Sequence, residues 1–228
     1  MNVQGFQKLT LLDYPGRTAC TVFTGGCNLR CPFCHNAGLV RTPMEYPNAE
    51  QEALAYLQKR RGILDGVCVT GGEPLLQPDL ADFLRRVREL GYAVKLDTNG
   101  SLPDRLEALL ALGLVDYVAM DVKSSPAGYA KAVGAEVDVA VYERSIRIIR
   151  ESGLPDEFRT TAVQGIHTPE DFVAIGQWLA GEPSYFIQKF VDSGQLLGEG
   201  FTAFSHEEME HLLAVVREYI PAAQLRGQ

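Results

Sequence analysis

Three cysteines, Cys27, Cys31 and Cys34, stand within eight residues in the run Gly-Gly-Cys-Asn-Leu-Arg-Cys-Pro-Phe-Cys-His-Asn. Thiolates this close can hold an iron–sulfur cluster. A cubane cluster with four irons normally takes four cysteines, so three leave one iron without a protein ligand, and an open iron is a place for chemistry. Zinc is the alternative, since Cys27, Cys31, Cys34 and His35 offer three sulfurs and a nitrogen. Adjacent ligands at positions 34 and 35 would strain a tetrahedral site, and no second ligand pair follows. Cys20 and Cys68 lie inside apolar strand patterns and read as small buried hydrophobes rather than as a fourth ligand.

Other polar clusters break apolar runs elsewhere. Gly71-Gly72-Glu73-Pro74 supplies a turn whose glycines let backbone approach a ligand, followed by a carboxylate that can accept from an ammonium group. A glycine turn between a strand and a helix is also common without any ligand. Asp97 and Asp121 each end a strand pattern with an acid where an apolar residue would continue the core. Two buried carboxylates repel unless a cation or donor compensates them, and helix capping is the other role open to them. Lys123 is placed to complete a charge-compensated cluster. Arg159, in Glu-Phe-Arg-Thr-Thr-Ala-Val, needs an anionic partner, either a ligand or a neighbouring Asp. His167 reads as a loop or helix-start residue, and His206 and His211 as solvent-facing positions on the last helix.

The elements that must position these groups alternate along the chain. Apolar runs at 19–23, 66–70, 93–97, 117–121, 157–163 and 185–190 predict six strands covered on both faces. Helical periodicity at about 49–61, 77–90, 103–112, 139–152, 169–180 and 206–219 falls between and after them, with Gly91, Gly113 and Gly153 as stops. Six βα units predict an α/β fold with a parallel sheet, either open and doubly wound or a partial (βα)6 TIM-like barrel. Both place chemistry at the C-terminal ends of strands. The cysteine run follows the first strand, Gly71-Gly72-Glu73 the second, Asp97-Thr98-Asn99-Gly100 the third and Asp121-Val122-Lys123 the fourth. No repeat or long linker interrupts the pattern, so residues 1–228 are expected to form a single domain.

Composition narrows the function classes. With 228 residues, 46% of them hydrophobic, the chain can bury a sizeable core, and a net charge of −8 argues against nonspecific binding to nucleic acid or an anionic membrane. The first residues lack a basic segment followed by an apolar stretch, and no apolar run is long enough to span a bilayer, so a cytoplasmic location is expected. Five cysteines, three of them clustered, fit a reducing compartment with a metal centre better than a disulfide framework.

The Cys-x3-Cys-x2-Cys spacing, with the aromatic Phe33 before the third cysteine, resembles the hallmark of the radical S-adenosylmethionine (SAM) superfamily. The likeness extends over nearly the whole chain: Gly-Phe-Gln-Lys-Leu-Thr-Leu-Leu-Asp-Tyr-Pro-Gly, Cys-Pro-Phe-Cys-His-Asn, Gly-Gly-Glu-Pro, Lys-Leu-Asp-Thr-Asn-Gly, Met-Asp-Val-Lys and Phe-Arg-Thr-Thr. In these segments the chain is similar to the glycyl-radical-enzyme activases, in particular the anaerobic ribonucleoside-triphosphate reductase activating proteins. The resemblance implies the partial (βα)6 barrel. It also implies a [4Fe-4S] cluster on Cys27, Cys31 and Cys34, with SAM chelating the open iron. Phe33, Gly71, Gly72, Glu73, Asp97, Thr98, Asp121, Lys123 and Arg159 would then bind the cofactor, Glu73 at the methionyl amino group. A monovalent cation is expected near Asp97 and Asp121.

The implied reaction is reductive cleavage of SAM to methionine and a 5′-deoxyadenosyl radical, which takes a Cα hydrogen from a glycine of a partner enzyme. The partners implied are a glycyl radical enzyme, in first place anaerobic ribonucleotide reductase, and reduced flavodoxin or ferredoxin as electron donor. Nucleic acid and membrane are not expected partners. No additional cysteine clusters separate the core units, so one cluster is expected, and Gln164-Gly165 stands where some relatives carry Pro-Gly. Two other readings remain open: a small-molecule radical SAM enzyme similar to 7-carboxy-7-deazaguanine synthase, and a noncatalytic electron carrier or interaction module.

Overall fold

The structure is a computed structural model that describes residues 1–41, 46–192 and 194–227. Its elements in chain order are β1 (Val3–Thr10), β2 (Ala19–Thr24), α1 (Ala37–Arg41), α2 (Ala49–Lys59), β3 (Gly66–Gly71), α3 (Leu80–Glu89), β4 (Ala93–Thr98), α4 (Pro103–Ala111), β5 (Tyr117–Asp121), α5 (Tyr129–Val133), α6 (Val139–Ser152), β6 (Asp156–Ala162), α7 (Pro169–Trp178), β7 (Tyr185–Lys189), α8 (His206–Arg217) and β8 (Gln224–Arg226). The fold is α/β, with strands hydrogen-bonded in chain order in a mostly parallel sheet. The fold class expected from the sequence is the one found.

Two compact units can be described separately. The first comprises Met1–Asn28, Gly38–Ala119 and Val141–Pro155. Its parallel strands β2, β3 and β4 are apolar on both faces: Ala19, Cys20, Val22, Val67, Cys68, Val69, Val94 and Leu96 are all fully buried. A strand covered by helices on one face and by core on the other loses the polar alternation of a solvent-facing strand. Helix α3 buries Leu80, Phe83, Leu84 and Val87, the i, i+3, i+4, i+7 stripe of an amphipathic helix. Cys20 and Cys68 belong to this core, and burial pushes the Cys20 thiol up to about 12.

Strand β1 pairs antiparallel with β2. It is not among the six expected strands: it buries only Val3 and Thr10 at its ends, and its middle carries Gln4, Gln7 and Lys8. A strand at the edge of a sheet needs no continuous apolar run, the pattern that marks the other six. The expected helix at 77–90 also begins later: a 3-10 turn over Pro74–Leu76 comes first, and α3 starts at Leu80.

The second unit comprises Leu29–Ala37, Met120–Ala140 and Asp156–Gln228. Strands β6 and β7 run parallel with Phe158 opposite Tyr185, and β8 adds to β7. Both long helices of this unit start in capping boxes, Thr168 with Asp171 on α7 and Ser205 with Glu208 on α8. Each reciprocal pair satisfies backbone N–H groups that have no partner in a first turn. The five-residue helices α1 and α5 and the three-residue strand β8 were not expected, because segments this short carry no readable period. No helix among the described residues is long and apolar enough to cross a membrane.

Candidate functional site

In the first unit, the loop after β2 carries Cys27 and is bound to the turn after β3 by backbone hydrogen bonds. Gly72 N–H donates to Thr24 O at 2.9 Å and Glu73 N–H to Gly26 O at 2.8 Å. A Cβ at position 72 would lie 1.9 Å from Gly26 O, and one at position 71 would lie 2.3 Å from Thr24 N and O, with Gly71 at a φ of 128°. The two glycines are therefore required by the approach of one loop of the chain to another, before any ligand is considered.

Glu73 is fully buried. Its Oε1 accepts from Thr98 Oγ1 at 2.9 Å and from Leu75 N–H at 3.0 Å, and its Oε2 accepts from Asn99 N–H at 2.7 Å. Donors of this kind compensate a buried carboxylate. Their consequence is mechanical: Glu73 ties the turn after β3 to the end of β4. Thr98, itself 3% exposed, also accepts from Gly100 N–H at 3.1 Å. Asn99 extends the connection to the cysteine loop, donating from Nδ2 to Asn28 Oδ1 at 3.1 Å and to Cys27 Sγ at 3.8 Å.

Asp97 does not cap a helix. Its Oδ1 accepts from Lys95 Nζ at 2.5 Å, and the Lys95 ammonium lies 5.8 Å from the centre of the Tyr117 ring. Positions 95 and 97 share one face of β4 by the two-residue period of a strand, so the pair is built into one element. Lys95 is fully buried, and an unpaired ammonium there would be costly.

In the second unit the cysteine loop is held at three backbone points. Arg30 N–H donates to Val133 O at 3.0 Å, Cys34 N–H to Cys31 O at 3.0 Å, and Gly198 N–H to Pro32 O at 2.7 Å. Phe33, 6% exposed, stands edge-on to the His167 ring with centroids 6.2 Å apart. The His167 tautomer follows from its neighbours. Nδ1 must accept, because its partner at 3.1 Å is the Val163 N–H, so the proton sits on Nε2 and is donated to Lys123 O at 2.8 Å. Burial lowers the His167 pKa from its ordinary value. His167 thus joins the end of β6, the backbone of Lys123 and the aromatic residue of the cysteine run.

Asp121, Lys123 and Arg159 form the charge cluster of this unit. Arg159 Nε donates to Asp121 Oδ1 at 2.8 Å and Lys123 Nζ to Asp121 Oδ2 at 3.1 Å. Burial works against the charge on Asp121, but the cations of Arg159 and Lys123 outweigh it and hold the carboxyl well below the usual range. Lys123 is raised for the corresponding reason: burial opposes its charge, and Asp121 together with the nearby sulfurs of Cys31 and Cys34 overcomes it. Glu157 continues the cluster, accepting from Arg226 Nη2 at 2.8 Å. Arg159 is thus paired with a neighbouring Asp, one of the two partners the sequence leaves open for it.

One sequence expectation finds no support, and neither does the alternative the sequence argued against. A monovalent cation near Asp97 and Asp121 would meet carboxylates already compensated, the first by Lys95 and the second by Lys123 and Arg159. Among the described residues no group of three or more His, Cys, Asp or Glu is gathered as ligands of one metal ion, which the zinc reading required. Within the first unit the Cys27 sulfur has an amide donor in Asn99, and within the second the charge of Lys123 favours the thiolates of Cys31 and Cys34, an environment that suits anionic sulfur in each. Lys95, Asn99 and His167 join the residues expected from sequence. The alternation of Lys95 with Asp97 is a usable signal, and Asn99 lies in the polar cluster that ends the third strand pattern; the contacts of Asn99 with Cys27 and Asn28 and of His167 with Lys123 span distant sequence and carry none.

A parallel α/β fold that carries its polar residues in loops at the C-terminal ends of strands has the architecture of an α/β enzyme. Residues 21–179 match the Radical SAM superfamily, and the chain belongs to it. That membership implies a [4Fe-4S] cluster and SAM. The chain is 29% identical over 232 aligned positions to "Putative glycyl-radical enzyme activating enzyme MJ1227" of Methanocaldococcus jannaschii, covering 98% of this chain and 95% of that protein. It is 30% identical over 186 positions to 7-carboxy-7-deazaguanine synthase of Thermococcus kodakarensis, covering 72% and 70% of the two. Among solved structures, a domain of pyruvate-formate lyase-activating enzyme from Bacteroides vulgatus shares the fold, with a TM-score of 0.58 and 20% identity over 72% of this chain and 99% of that one.

Proposed function

We propose that this chain is a glycyl-radical-enzyme activase acting as a single domain in the cytoplasm, with anaerobic ribonucleotide reductase as the first candidate partner and reduced flavodoxin or ferredoxin as electron source. The observation that carries the reading is the nearly end-to-end match to an activase-like relative, without large unmatched segments on either side. When bound, the cluster and SAM would supply one electron and a 5′-deoxyadenosyl radical that removes a glycine Cα hydrogen.

The chain's own part is to hold, orient and dry the site. Cys27, Cys31 and Cys34 would ligate the cluster, with Phe33 shielding it. The turn Gly71–Glu73 would carry the methionyl end of SAM, Glu73 acting through the backbone it fixes because its carboxylate is already engaged. Lys123 and Arg159, braced by Asp121, would provide positive charge for a ligand carboxylate. Asp97 and Thr98 would hold the end of β4 in place, through Lys95 and Glu73 respectively.

Anaerobic incubation with SAM, a reductant and a candidate reductase tests the reading. The expected result is 5′-deoxyadenosine together with a persistent protein radical in electron paramagnetic resonance. The 7-carboxy-7-deazaguanine synthase reading is favoured by the match to the Thermococcus kodakarensis enzyme, and a modified deazapurine without a protein radical would establish it. Cluster binding without 5′-deoxyadenosine would leave a carrier.

A further inference from the structure

We propose that the Asn99 side-chain amide is a built-in hydrogen-bond donor to the Cys27 sulfur that raises the reduction potential of the cluster held there. The inference rests on the reading that Cys27 ligates a cluster. Asn99 is 5% exposed, and its orientation is decided by its neighbours. Oδ1 accepts from Ser101 N–H at 2.9 Å, and a backbone N–H can only donate, so the oxygen must face Ser101 and the NH2 group must face Cys27. A ring of side chains locks this arrangement. Asn99 Nδ2 donates to Asn28 Oδ1 at 3.1 Å, Asn28 Nδ2 to Ser101 Oγ at 2.8 Å, and Ser101 Oγ to Asn99 Oδ1 at 2.5 Å. One amide hydrogen is taken by Asn28, and the second is directed at Cys27 Sγ, 3.8 Å away.

The Asn99 backbone is fixed independently, since its N–H donates to the buried Glu73 carboxylate. The amide is therefore held from two sides and cannot swing away without breaking several bonds. A donor to a ligating sulfur stabilises the more electron-rich, reduced cluster, and hydrogen bonds to sulfur are among the levers that set cluster potentials.

The test is an electron-paramagnetic-resonance redox titration of the anaerobically reconstituted protein and two variants, with iron content measured in parallel. Asn99→Asp keeps the acceptor for Ser101 but replaces the donor with a negatively charged oxygen; Asn99→Ser removes the amide, leaving only a shorter hydroxyl, without adding charge. At a fixed applied potential the ratio of reduced to oxidised cluster is expected to fall about threefold in Asn99→Ser and at least tenfold in Asn99→Asp. Tenfold is a midpoint about 59 mV lower for one electron. Unchanged midpoints in variants that retain wild-type iron overturn the proposal and leave the cluster reading intact. If Asn99→Asp loses its iron, the Asn99→Ser midpoint alone decides. A wild-type protein that takes up no cluster overturns both.

Discussion

Arg159 Nε lies 2.8 Å from Asp121 Oδ1, joining the middle of β6 to the end of β5 by a charge-assisted hydrogen bond. Lys123 uses the other oxygen of the same carboxylate, so one acid organises two cations. Asp121→Asn keeps the shape and removes that charge. Breaking a fully buried pair costs about 3–5 kcal/mol, and because the Asp121 side chain is 31% exposed, a loss of about 1–3 kcal/mol is expected here. Urea denaturation of the apo protein measures it. SAM affinity of the reconstituted variant should fall as well, since the cations lose the group that aims them.

The cysteines separate into two classes. Cys27→Ala, Cys31→Ala and Cys34→Ala should each abolish the visible absorbance and iron retention of reconstituted protein. Cys20→Ala and Cys68→Ala should keep both and lose only core packing, because those side chains are fully buried within β2 and β3. Bleaching in Cys20→Ala would end the three-cysteine assignment.

Glu73→Gln tests whether this carboxylate acts through the backbone. A glutamine retains one acceptor oxygen but turns an NH2 toward one of the donors now served, leaving a buried polar group unpaired at a cost of about 1–3 kcal/mol. The variant should unfold at lower urea, and its cluster should lose iron faster to a chelator, because Asn99 is released. A variant with wild-type stability and only weakened SAM binding would instead assign the carboxylate to the ligand.

Gly72→Ala places a methyl group where Gly26 O already stands, 1.9 Å from the ideal position. Both atoms are backbone or backbone-attached, so neither can rotate aside. The expected outcome is little soluble protein, or soluble protein unable to retain iron, read from yield and iron content.

His167 predicts a pH dependence. Its folded pKa is lowered from 6.5 by burial, so the unfolded chain binds the proton more readily. The neutral form's contribution is present above 6.5 and is lost as pH falls from there through the folded value. Thermal unfolding of the apo protein at pH 8, 7, 6 and 5 should show a falling midpoint below pH 6.5. His167→Gln should lower the midpoint at pH 7 and flatten that acid-side fall; a variant with the wild-type slope would remove His167 as its source.

Much of this protein was legible without coordinates. The six covered strands were readable because burial on both faces demands consecutive apolar residues, and the strand at 117–121 was placed at its observed limits. The cysteine run was conspicuous because its three candidate ligands are near neighbours in sequence. Strand β1 was not, since an edge strand with one partner, buried only at its two ends, carries no continuous apolar run. The three-cysteine motif, the α/β class and the loops that hold the polar groups were thus determined locally, by spacing and period. What those polar groups touch was decided only by tertiary structure. Glu73 reaches Asn99 across 26 positions, Arg159 reaches Asp121 across 38, and His167 reaches Lys123 across 44. A hydrogen bond depends on tenths of an ångström between atoms that the chain brings together only on folding. Sequence could therefore say which groups were available, while packing decided that Glu73 braces the loop bearing Asn99, and that Asn99 faces the sulfur of Cys27.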